Sequence, residues 1–356
     1  MRLMNASWWK SRKVFVTGHT GFKGAWLCLL LDRLGAEVHG YSLPAPTQPN
    51  LYGLAGANDR VRNTLGDVRD LLRLSATIRE ANPEIVIHMA AQALVRKSYQ
   101  DPVETYATNV MGTVNLLEAV RLTGGGVVAV VVVTSDKCYE NREWAKGYCE
   151  DEAMGGHDPY SSSKGCAELV TSAYRRSYFH DIKTAVASAR AGNVIGGGDW
   201  AKDRLIPDMI RALAEKKSAP IRNPDSIRPW QHVLEPVGGY LTLAEHLVEK
   251  GKQFAEGWNF GPRENDTQTV GWIADRVVKL WGDNARWERV GQQNLHEAFS
   301  LTLDAGKART RLGWKSTSDL PVALEQTVKW YKAWNDGQDM RKYSMRQIEQ
   351  FLTGAD

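Results

Sequence analysis

Two short stretches of this 356-residue chain bring together side chains that can move protons. One holds Ser135, Asp136 and Lys137, and the other holds Tyr160 and Lys164. The spacing of four predicts that Tyr160 and Lys164 lie on one face of a helix, about one turn apart. A neighbouring ammonium group favours the phenolate and lowers the pKa of a phenol, which is ordinarily about 10.

A phenolate of this kind can remove the proton of an alcohol while the carbinol carbon gives a hydride to a nicotinamide. Ser135 can hydrogen-bond the same alcohol. The pattern Tyr-x-x-x-Lys alone is unspecific, because two surface residues of any helix can have this spacing. It becomes specific when a dinucleotide site and a serine at the end of a strand accompany it.

A glycine-rich turn near the N-terminus predicts such a dinucleotide site. Residues 18–24 read GHTGFKG, between a β-rich run at 13–17 and an apolar helical stretch at 25–34. The glycines let the backbone approach a pyrophosphate, and the helix N-terminus offers free N–H groups and the positive end of its dipole. An ordinary tight turn could contain the same glycines, but the position in the first βα unit of the chain favours the phosphate turn.

Alternating strands and helices position these residues. The pattern predicts strands at 13–17, 37–42, 61–65, 84–89, 127–133 and 183–190, with helices at 25–34, 70–81, 103–121 and 160–178. Such alternation is typical of a parallel, doubly wound α/β sheet, whose ligands bind at the C-terminal ends of the strands. The run at 127–133 is apolar throughout, as a strand buried on both faces requires. Ser135 and its neighbours follow this strand.

Beyond residue 190 the alternation loosens into a smaller lobe. We expect a loop at 191–200, helices at 205–217, 236–250, 269–281 and finally 320–335, and a short strand at 258–262. We therefore assign residues 1–190, with about 231–262, to a Rossmann domain that binds the dinucleotide. Residues 191–230 and 263–345 would form a mixed α/β lobe that binds the substrate.

Composition argues against several classes of protein. The net charge of +4, without a run of five basic residues, argues against a nucleic-acid partner. The longest aliphatic run, at 127–133, is too short to span a membrane, and no apolar signal sequence precedes residue 13. The four cysteines form no C-x-x-C pair, so we expect no metal site. We expect a reducing cytoplasm as the compartment.

Several positions bear on the cofactor without deciding its identity. The second predicted strand ends at Ser42 and lacks the acid that usually marks NAD, so it does not separate NAD from NADP. Asp67 could accept a hydrogen bond from an adenine amino group or could cap the following helix. The small residues Ala90 and Ala91 would let a cofactor lie against the backbone. Asn109 is either a cofactor contact or a buried structural residue of its helix.

Four longer motifs resemble a known family. They are residues 134–141 (TSDKCYEN), 158–168 (DPYSSSKGCAE), 190–200 (RAGNVIGGGDW) and 227–236 (IRPWQHVLEP). Together with the glycine turn they are similar to the extended short-chain dehydrogenase/reductase family and, within it, to the nucleotide-sugar 4,6-dehydratases. The resemblance covers nearly the whole chain. It implies NAD as the cofactor and CDP-glucose as the substrate.

The resemblance also implies roles for individual residues. Tyr160 would take the proton of the sugar 4-hydroxyl, oriented by Ser135, while C4 gives its hydride to NAD⁺. Lys164 would hold the cofactor ribose and tune Tyr160. The 4-ketone acidifies the C5 proton, and Asp136, as a general acid in a dry site, would protonate the departing 6-hydroxyl. Return of the hydride to C6 would give a 4-keto-6-deoxy sugar for deoxysugar biosynthesis of the lipopolysaccharide type.

Lys137 departs from the family pattern. The related dehydratases have Asp-Glu where this chain has Asp136 and Lys137, and there the Glu is taken as the base for the C5 proton. A lysine is charged at neutral pH, so it could stabilise an enolate. It could act as a base only if it were strongly desolvated. The identity of the C5 base stays open.

The resemblance further implies two sets of binding residues and an assembly. The cofactor would contact Gly18, Thr20, Gly21, Phe22, Lys23, Gly24, Asp67, Val68, Ala90, Ala91, Asn109, Thr134, Tyr160 and Lys164. The substrate would contact Gln92, Arg96, Ser135, Asn193, Leu205, Arg222, Arg228 and Glu297. Arg222 and Arg228 suit a diphosphate, because a guanidinium group binds phosphate through two hydrogen bonds. A homo-oligomer, dimer or tetramer, would form around the helices that hold Asn109 and Lys164.

Two other functions fit part of this pattern. A nucleotide-sugar 4-epimerase shares Ser135, Tyr160 and Lys164, but it does not need a general acid such as Asp136. A non-catalytic nucleotide sensor on the same fold has no need of an intact path for protons. The combination of residues therefore favours the dehydratase.

Overall fold

The computed structural model describes residues 6–144, 146–263, 266–291 and 300–354. Its strands are β1 Lys13–Thr17, β2 Glu37–Ser42, β3 Val61–Leu65, β4 Ile85–His88, β5 Ala129–Val133, β6 Ala185–Ala191, β7 Asn193–Ile195, β8 Ala219–Ile221, β9 Ile227–His232, β10 Gly257–Phe260, β11 Thr267–Thr269 and β12 Trp287–Arg289.

The helices are α1 Ala6–Trp9, α2 Phe22–Arg33, α3 Leu51–Leu54, α4 Leu71–Ala81, α5 Val95–Gln100, α6 Pro102–Tyr106, α7 Gly112–Leu122, α8 Pro159–Ser177, α9 Leu205–Ala214, α10 Leu234–Lys250, α11 Val270–Trp281, α12 Leu320–Asn335 and α13 Met340–Thr353. A π-helical turn, Ala107–Met111, joins α6 to α7 without a break. None of the helices in the described segments is both long and apolar enough to cross a membrane.

A parallel seven-stranded sheet forms the centre of the fold, in the order β10-β6-β5-β4-β1-β2-β3. This confirms the predicted doubly wound α/β fold. The central strand β5 shows why the sheet is covered on both sides: Ala129, Val131 and Val133 pack into one hydrophobic core, and Val130 and Val132 pack into another. Because successive side chains of a strand point to opposite faces, an apolar strand must be buried on both.

Helices from different parts of the chain supply the two covers. Trp26 of α2 and Leu241 of α10 belong to the core on one face of the sheet. Leu74 of α4 and Leu116 of α7 belong to the core on the other, where Val170 of α8 packs against it. The helix that follows the glycine turn and the helix that carries the Tyr-x-x-x-Lys pair therefore lie on opposite faces of one sheet.

Two close backbone contacts shape the glycine turn between β1 and α2. Gly18 has a φ of +74°, a left-handed conformation that glycine adopts without steric cost. A Cβ on Gly24 would lie 2.2 Å from the carbonyl oxygen of Gly18, so α2 can begin this close to β1 only without a side chain there. Gly21 is the N-cap of α2, and no side chain caps the helix at that position. The first backbone N–H groups of α2 are thus open at the C-terminal edge of the sheet.

Segments beyond β6 form a small mixed sheet in the order β11-β9-β7 and a separate pair, β8 with β12. The presence of β7 corrects the prediction of a loop at 191–200. Asn193 pairs with Trp230 and Ile195 with His232, both in the parallel neighbour β9. The segment is rich in glycine, and a partner more than 30 residues away makes part of it a strand. Local composition therefore could not reveal it.

Helix α13 corrects the prediction that residues 320–335 form the last helix. Its buried positions include the polar residue Ser344, so the apolar periodicity that identifies a helix is weak in this segment. Ser344 accepts a hydrogen bond from Trp330 Nε1 of α12 at 2.9 Å. Arg341 forms an ion pair with Asp32 of α2 at 2.7 Å. The C-terminal helices are thereby connected to the helix that begins at the glycine turn.

Candidate active site

Ser135, Asp136 and Lys137 lie at the C-terminal end of β5, where the sequence placed them. The chain turns here in a short 3-10 helix, and the Ser135 hydroxyl donates to Asp136 Oδ1 at 2.9 Å. Asp136 has no exposed surface, and its other oxygen, Oδ2, has no hydrogen-bond partner in the described part of the chain. An unpaired buried oxygen costs free energy, so Oδ2 is placed for a partner that a ligand supplies.

Lys137 points into the same site. Its Nζ lies 3.5 Å from Asp136 Oδ1 and 3.4 Å from Asn193 Oδ1 of β7. The side chain of Lys137 is 26% exposed, whereas that of Asp136 is 1% exposed. Gly192, the residue before β7, lies against the carboxyl group of Asp136. A Cβ on Gly192 would be 3.2 Å from Asp136 Oδ2. The carboxyl group is thus enclosed by both lobes, and the ammonium group lies at its outer side.

Helix α8 begins immediately before the tyrosine of the second motif. Pro159 occupies its first turn, and the N-cap Asp158 accepts hydrogen bonds from the backbone N–H and the hydroxyl of Ser161. Tyr160 and Lys164 follow on one buried face, as their spacing predicted. A proline and a capping aspartate define where a helix starts, so they also define the position of Tyr160 relative to β5.

Tyr160 and Lys164 reach the end of β5 from this helix. Tyr160 hydrogen-bonds Ser135. Lys164 Nζ donates to the carbonyl oxygen of Val133 at 3.4 Å. All of these side chains are buried. The structure therefore brings together the serine, tyrosine and lysine that the sequence predicted to act together.

Burial is the largest cause of the pKa shifts of Tyr160 and Lys164. It raises the pKa of Tyr160 to about 12, against the hydrogen bond to Ser135 and the charge of Arg204. The prediction that the Tyr-x-x-x-Lys spacing lowers the pKa of this phenol is therefore wrong, because the lost hydration of the phenolate outweighs the nearby charges. Burial also lowers the pKa of Lys164 to about 8, although the carboxylate of Glu168 acts against it.

Several basic side chains gather around Lys23. Lys137, Lys164 and Arg204 all act electrostatically on Lys23, which lies in the glycine turn. Burial, followed by the charges of Lys164 and Arg204, lowers the pKa of Lys23 to about 7. Gathering like charges in a cleft is unfavourable by itself, and it raises the affinity of that cleft for an anion such as a diphosphate.

Arg204 is a site residue that the sequence did not reveal. It precedes α9 directly, and its guanidinium group pairs with Asp199 Oδ2 at 2.8 Å. The positive charge of Arg204 acts to lower the pKa of Tyr160. The family resemblance implies a substrate contact at the neighbouring Leu205, the first residue of α9. A single arginine before a helix forms no pattern, so only the fold identifies it.

Tyr240 and Glu168 were missed as well. Tyr240 of α10 is fully buried, its ring centroid lies 6.0 Å from Lys23 Nζ, and its hydroxyl has no hydrogen-bond partner among the residues described. Glu168 lies on the buried face of α8, one turn beyond Lys164. No sequence signal marks Tyr240. The spacing of four from Lys164 to Glu168 was a signal that could have identified the glutamate.

The residues assigned to the cofactor turn form a suitable binding site for a dinucleotide. Gly18 packs so closely on the end of β4 that a Cβ would lie 2.7 Å from the backbone nitrogen of Ala90. The Thr20 hydroxyl hydrogen-bonds that of Ser42 at 2.8 Å and connects the turn to the end of β2. An open helix N-terminus, a turn with three glycines and the nearby Lys23 fit a pyrophosphate.

Two other cofactor assignments have partners inside the protein. Asp67 accepts three hydrogen bonds from the guanidinium group of Arg69 and one from its backbone N–H, and these lower the pKa of Asp67. Asn109 donates to the carbonyl oxygen of Gln92 at 3.0 Å and to Ser163 Oγ at 2.8 Å, and it accepts from the backbone N–H of Gln92 at 2.8 Å. These contacts favour the structural role, one of the two that the sequence left open for Asn109.

The residues assigned to the substrate come from both lobes. Arg96 of α5 and Arg222 meet at one carboxylate oxygen of Asp203, at 3.6 Å and 3.0 Å. Arg228 donates to a backbone carbonyl group of its own strand, β9. Glu297 lies outside the described residues. Arg96 and Arg222, two of the arginines assigned to the substrate, are thus joined through Asp203, the residue that precedes Arg204.

Comparison with known proteins places the whole chain among nucleotide-sugar enzymes. The family model described as GDP-mannose 4,6 dehydratase matches residues 15–327. The chain is 54% identical to CDP-glucose 4,6-dehydratase of Salmonella typhimurium over 99% of both chains. The structure of dTDP-glucose 4,6-dehydratase of Streptomyces venezuelae with NAD bound is 25% identical over 91% of this chain and 98% of that chain, with a TM-score of 0.76. UDP-glucose 4-epimerase of Brucella ovis in complex with NAD is 25% identical over 90% and 98%, with a TM-score of 0.78.

Binding of the predicted cofactor NAD⁺ should take up protons near neutral pH. Lys23 has a pKa of about 7, so it is about half protonated there, and a pyrophosphate beside it favours the ammonium form. The affinity for NAD⁺ should therefore fall as the pH rises through neutrality. Calorimetric titration in two buffers with different ionisation enthalpies measures the uptake. Lys23→Met should remove most of it, and equal uptake by wild type and variant would assign the proton to another group.

Proposed function

The chain belongs to the GDP-mannose 4,6 dehydratase family, and we propose that it converts CDP-glucose into CDP-4-keto-6-deoxyglucose and water. One observation carries the proposal. Asp136 is fully buried with one free carboxylate oxygen, and it lies beside a complete set of Ser135, Tyr160 and Lys164. The full-length relative from Salmonella typhimurium supports CDP-glucose as the nucleotide sugar.

The fold by itself does not separate a dehydratase from an epimerase, because solved structures of both superpose on it equally well. The difference lies at Asp136. Epimerisation at C4 removes no hydroxyl group, whereas elimination of water requires a proton for the leaving 6-hydroxyl. A non-catalytic sensor would have no use for an acid, a phenol and an amine buried together, since each of these polar groups costs free energy to bury.

The first half of the proposed reaction uses Tyr160 and Ser135. NAD⁺, when bound, supplies the acceptor for the C4 hydride and later returns that hydride to C6. Tyr160 takes the proton of the 4-hydroxyl, and Ser135, which is hydrogen-bonded to Tyr160, holds this hydroxyl in place. Because burial raises the pKa of Tyr160 to about 12, its phenolate needs cations nearby. The charge of Arg204 acts on Tyr160 in this way, and Lys164, one helical turn along α8, is proposed as the second cation.

The second half uses Asp136 and Lys137. The new 4-ketone acidifies the C5 proton, which passes to solvent on the outer side of the site and is replaced from solvent when C5 is protonated again. Asp136 gives a proton from Oδ2 to the 6-hydroxyl, which departs as water. The Ser135 hydroxyl, which donates to Oδ1, leaves Oδ2 as the oxygen that faces the substrate. Lys137 lies 3.5 Å from this carboxylate and stabilises the enolate that forms between C4 and C5.

Substrate binding is proposed to involve both lobes. Arg96 and Arg222 share Asp203, so the diphosphate of the sugar nucleotide can replace this carboxylate as the anion between them. Asn193 contacts Lys137 and reaches the sugar from β7. The assignments of Gln92, Leu205, Arg228 and Glu297 to the substrate, and of Phe22, Val68, Ala91 and Thr134 to the cofactor, stay predictions.

The proposed setting is deoxysugar biosynthesis in the cytoplasm. The product is an activated 4-keto-6-deoxy sugar, the type of precursor that lipopolysaccharide assembly consumes. All four cysteines are free thiols, and two of them, Cys28 and Cys138, are buried. Unpaired cysteines support a reducing compartment. Fractionation of cells that produce the protein would contradict this setting if the protein were found outside the cytoplasm.

A homodimer is proposed around the face formed by α6, α7 and α8. Large apolar side chains are exposed on these helices and the turn between them: Val103 is 78% exposed, Met111 51% and Leu169 60%. Helices α7 and α8 pack side by side, so a second copy could complete a four-helix bundle. Burial of such side chains is favourable by about 1.5–3 kcal/mol each.

Incubation with CDP-glucose and NAD⁺ should produce the 4-keto-6-deoxy sugar without net formation of NADH, because the hydride returns to the product. The keto sugar is measured by its absorbance in alkali. NADH is measured by its own absorbance during the reaction. Accumulation of NADH in proportion to an oxidised sugar would indicate a dehydrogenase instead. Formation of CDP-galactose would indicate an epimerase.

Asp136→Asn and Tyr160→Phe should stop the reaction at different stages. Without its acid, Asp136→Asn should still transfer hydride from C4 but should lose water roughly 10²-fold more slowly or worse. Tyr160→Phe should slow hydride transfer itself by roughly 10²–10⁴-fold, since it lacks the base. Rapid-quench mass spectrometry combined with the absorbance of enzyme-bound NADH separates these stages.

Two further results bear on the same assignment. Equal loss of hydride transfer and dehydration in Asp136→Asn would mean that Asp136 positions the substrate and does not act as a dedicated acid. Lys137→Ala serves as the companion variant, because an enolate stabiliser affects C5 directly. In D₂O it should slow both dehydration and the exchange of deuterium into C5.

Leu169→Glu should convert the proposed dimer into a monomer, because it places charges of the same sign on the two copies in the interface. Sedimentation velocity measures the mass of wild type and variant. Leu72→Glu is the matched control, since Leu72 is 84% exposed on α4, outside the proposed face. It should remain dimeric. A monomeric wild type would contradict the proposal.

A further inference from the structure

Glu168 takes no part in the proposed reaction, yet both of its carboxylate oxygens are fully engaged. The residue is 5% exposed. Its Oε1 accepts from the hydroxyl of Thr134 at 2.5 Å, and its Oε2 accepts from Ser188 Oγ at 2.6 Å and from Arg190 at 2.8 Å. Thr134 follows β5, and Ser188 and Arg190 lie on β6. One carboxylate of α8 is therefore bonded to the ends of two central strands.

Arg190 extends this connection to the segment beyond β5. It donates to the hydroxyl of Tyr139 at 2.7 Å, and Tyr139 donates to Asn259 of β10 at 2.7 Å. The side chains of Glu168 and Arg190 are 4% and 6% exposed. A buried ion pair contributes little net stability, because the lost hydration of both charges offsets their attraction. Net stability therefore does not explain why this ion pair lies next to the candidate active site.

The position of Lys164 offers an explanation for the buried carboxylate of Glu168. Lys164 lies one helical turn before Glu168 and is itself buried, with Nζ bonded to the carbonyl oxygen of Val133. The titratable groups that face it are Tyr160 and Glu168 on its own helix, Lys23 of α2, His88 of β4 and Cys138 beyond β5. Glu168 is the only carboxylate in this set. Of the charges that act on Lys164, that of Glu168 has the largest effect.

We propose that Glu168 is a positioning residue of this active site, whose carboxylate keeps Lys164 in the ammonium form and holds the end of β5. This inference rests on the proposed function, in which Lys164 must be a cation beside Tyr160. Burial lowers the pKa of Lys164 to about 8 even with Glu168 present, and Glu168 acts in the opposite direction. Without this carboxylate, Lys164 would lose its proton at a lower pH. Its contribution would then be lost within the physiological range.

Glu168→Gln tests the charge while keeping a group of the same shape. The pH titration of Lys164, followed by NMR of protein labelled with ¹³C-lysine and assigned with Lys164→Arg, should shift down by about one unit or more. The alkaline limb of kcat/KM for CDP-glucose should move down by the same amount. Below both midpoints the variant should retain activity, because Lys164 is protonated there in both proteins. A merely structural role would lower activity equally at every pH.

Two more variants separate charge from stability. Glu168→Gln leaves the buried charge of Arg190 without the carboxylate it pairs with, so the variant should be less stable. The double variant Glu168→Gln/Arg190→Met removes both charges and should regain stability, but the titration of Lys164 should stay shifted. Ser188→Ala is the matched control, since it removes one hydrogen bond from Glu168 and leaves the charge. Its Lys164 should titrate as in wild type.

The outcomes distinguish this inference from the proposed function. A Lys164 titration at the wild-type pH in the double variant, or in Glu168→Gln if it folds, would overturn the inference and leave the ion pair as a structural contact. A wild-type protein that does not convert CDP-glucose would overturn the proposed function. The NMR titration needs neither substrate nor cofactor, so it would still decide whether Glu168 holds Lys164 charged.

Discussion

The positive charge gathered around Lys23 is the constraint on which the rest of this site depends. Lys137, Lys164 and Arg204 all act on Lys23, and burial adds to the effect of Lys164 and Arg204 in disfavouring its ammonium form. Carboxylates offset part of this repulsion: Arg204 is paired with Asp199, Lys137 with Asp136, and Lys164 lies beside Glu168. The remaining positive charge suits a cleft that must bind two diphosphates, one in the dinucleotide and one in the sugar nucleotide.

The parallel sheet makes this concentration of charge possible. Because the strands run in the same direction, β1, β4, β5 and β6 all end at one edge, and each contributes the segment that follows it. The glycine turn follows β1, Ser135 and Asp136 follow β5, and Asn193 follows β6 across a single bend. The segments beyond β6 add Arg204, whose charge acts on Lys23 and Tyr160. The side chain of Asp136 is 1% exposed at this edge, whereas that of Lys137, at its outer side, is 26% exposed.

The sequence by itself determined the features that depend on neighbours along the chain. The glycines of the turn, the apolar run of β5 and the spacing from Tyr160 to Lys164 are local patterns, and local patterns fix strand, turn and helix. Motif resemblance identified Ser135 and Asp136, because their order directly after an apolar strand is itself local. The alternation of elements gave the doubly wound sheet, since each apolar strand needs a helix on either face.

The tertiary structure alone decided the features that depend on residues far apart in sequence. The high pKa of Tyr160 results from burial, which no spacing encodes. Arg204 entered the site, and Asn109 was drawn into hydrogen bonds with Gln92, only because distant elements pack together. Strand β7 exists through its pairing with β9, and α13 through its contacts with α2 and α12. Burial and electrostatic potential at a point are sums over the whole fold, so a local reading of the chain could not supply them.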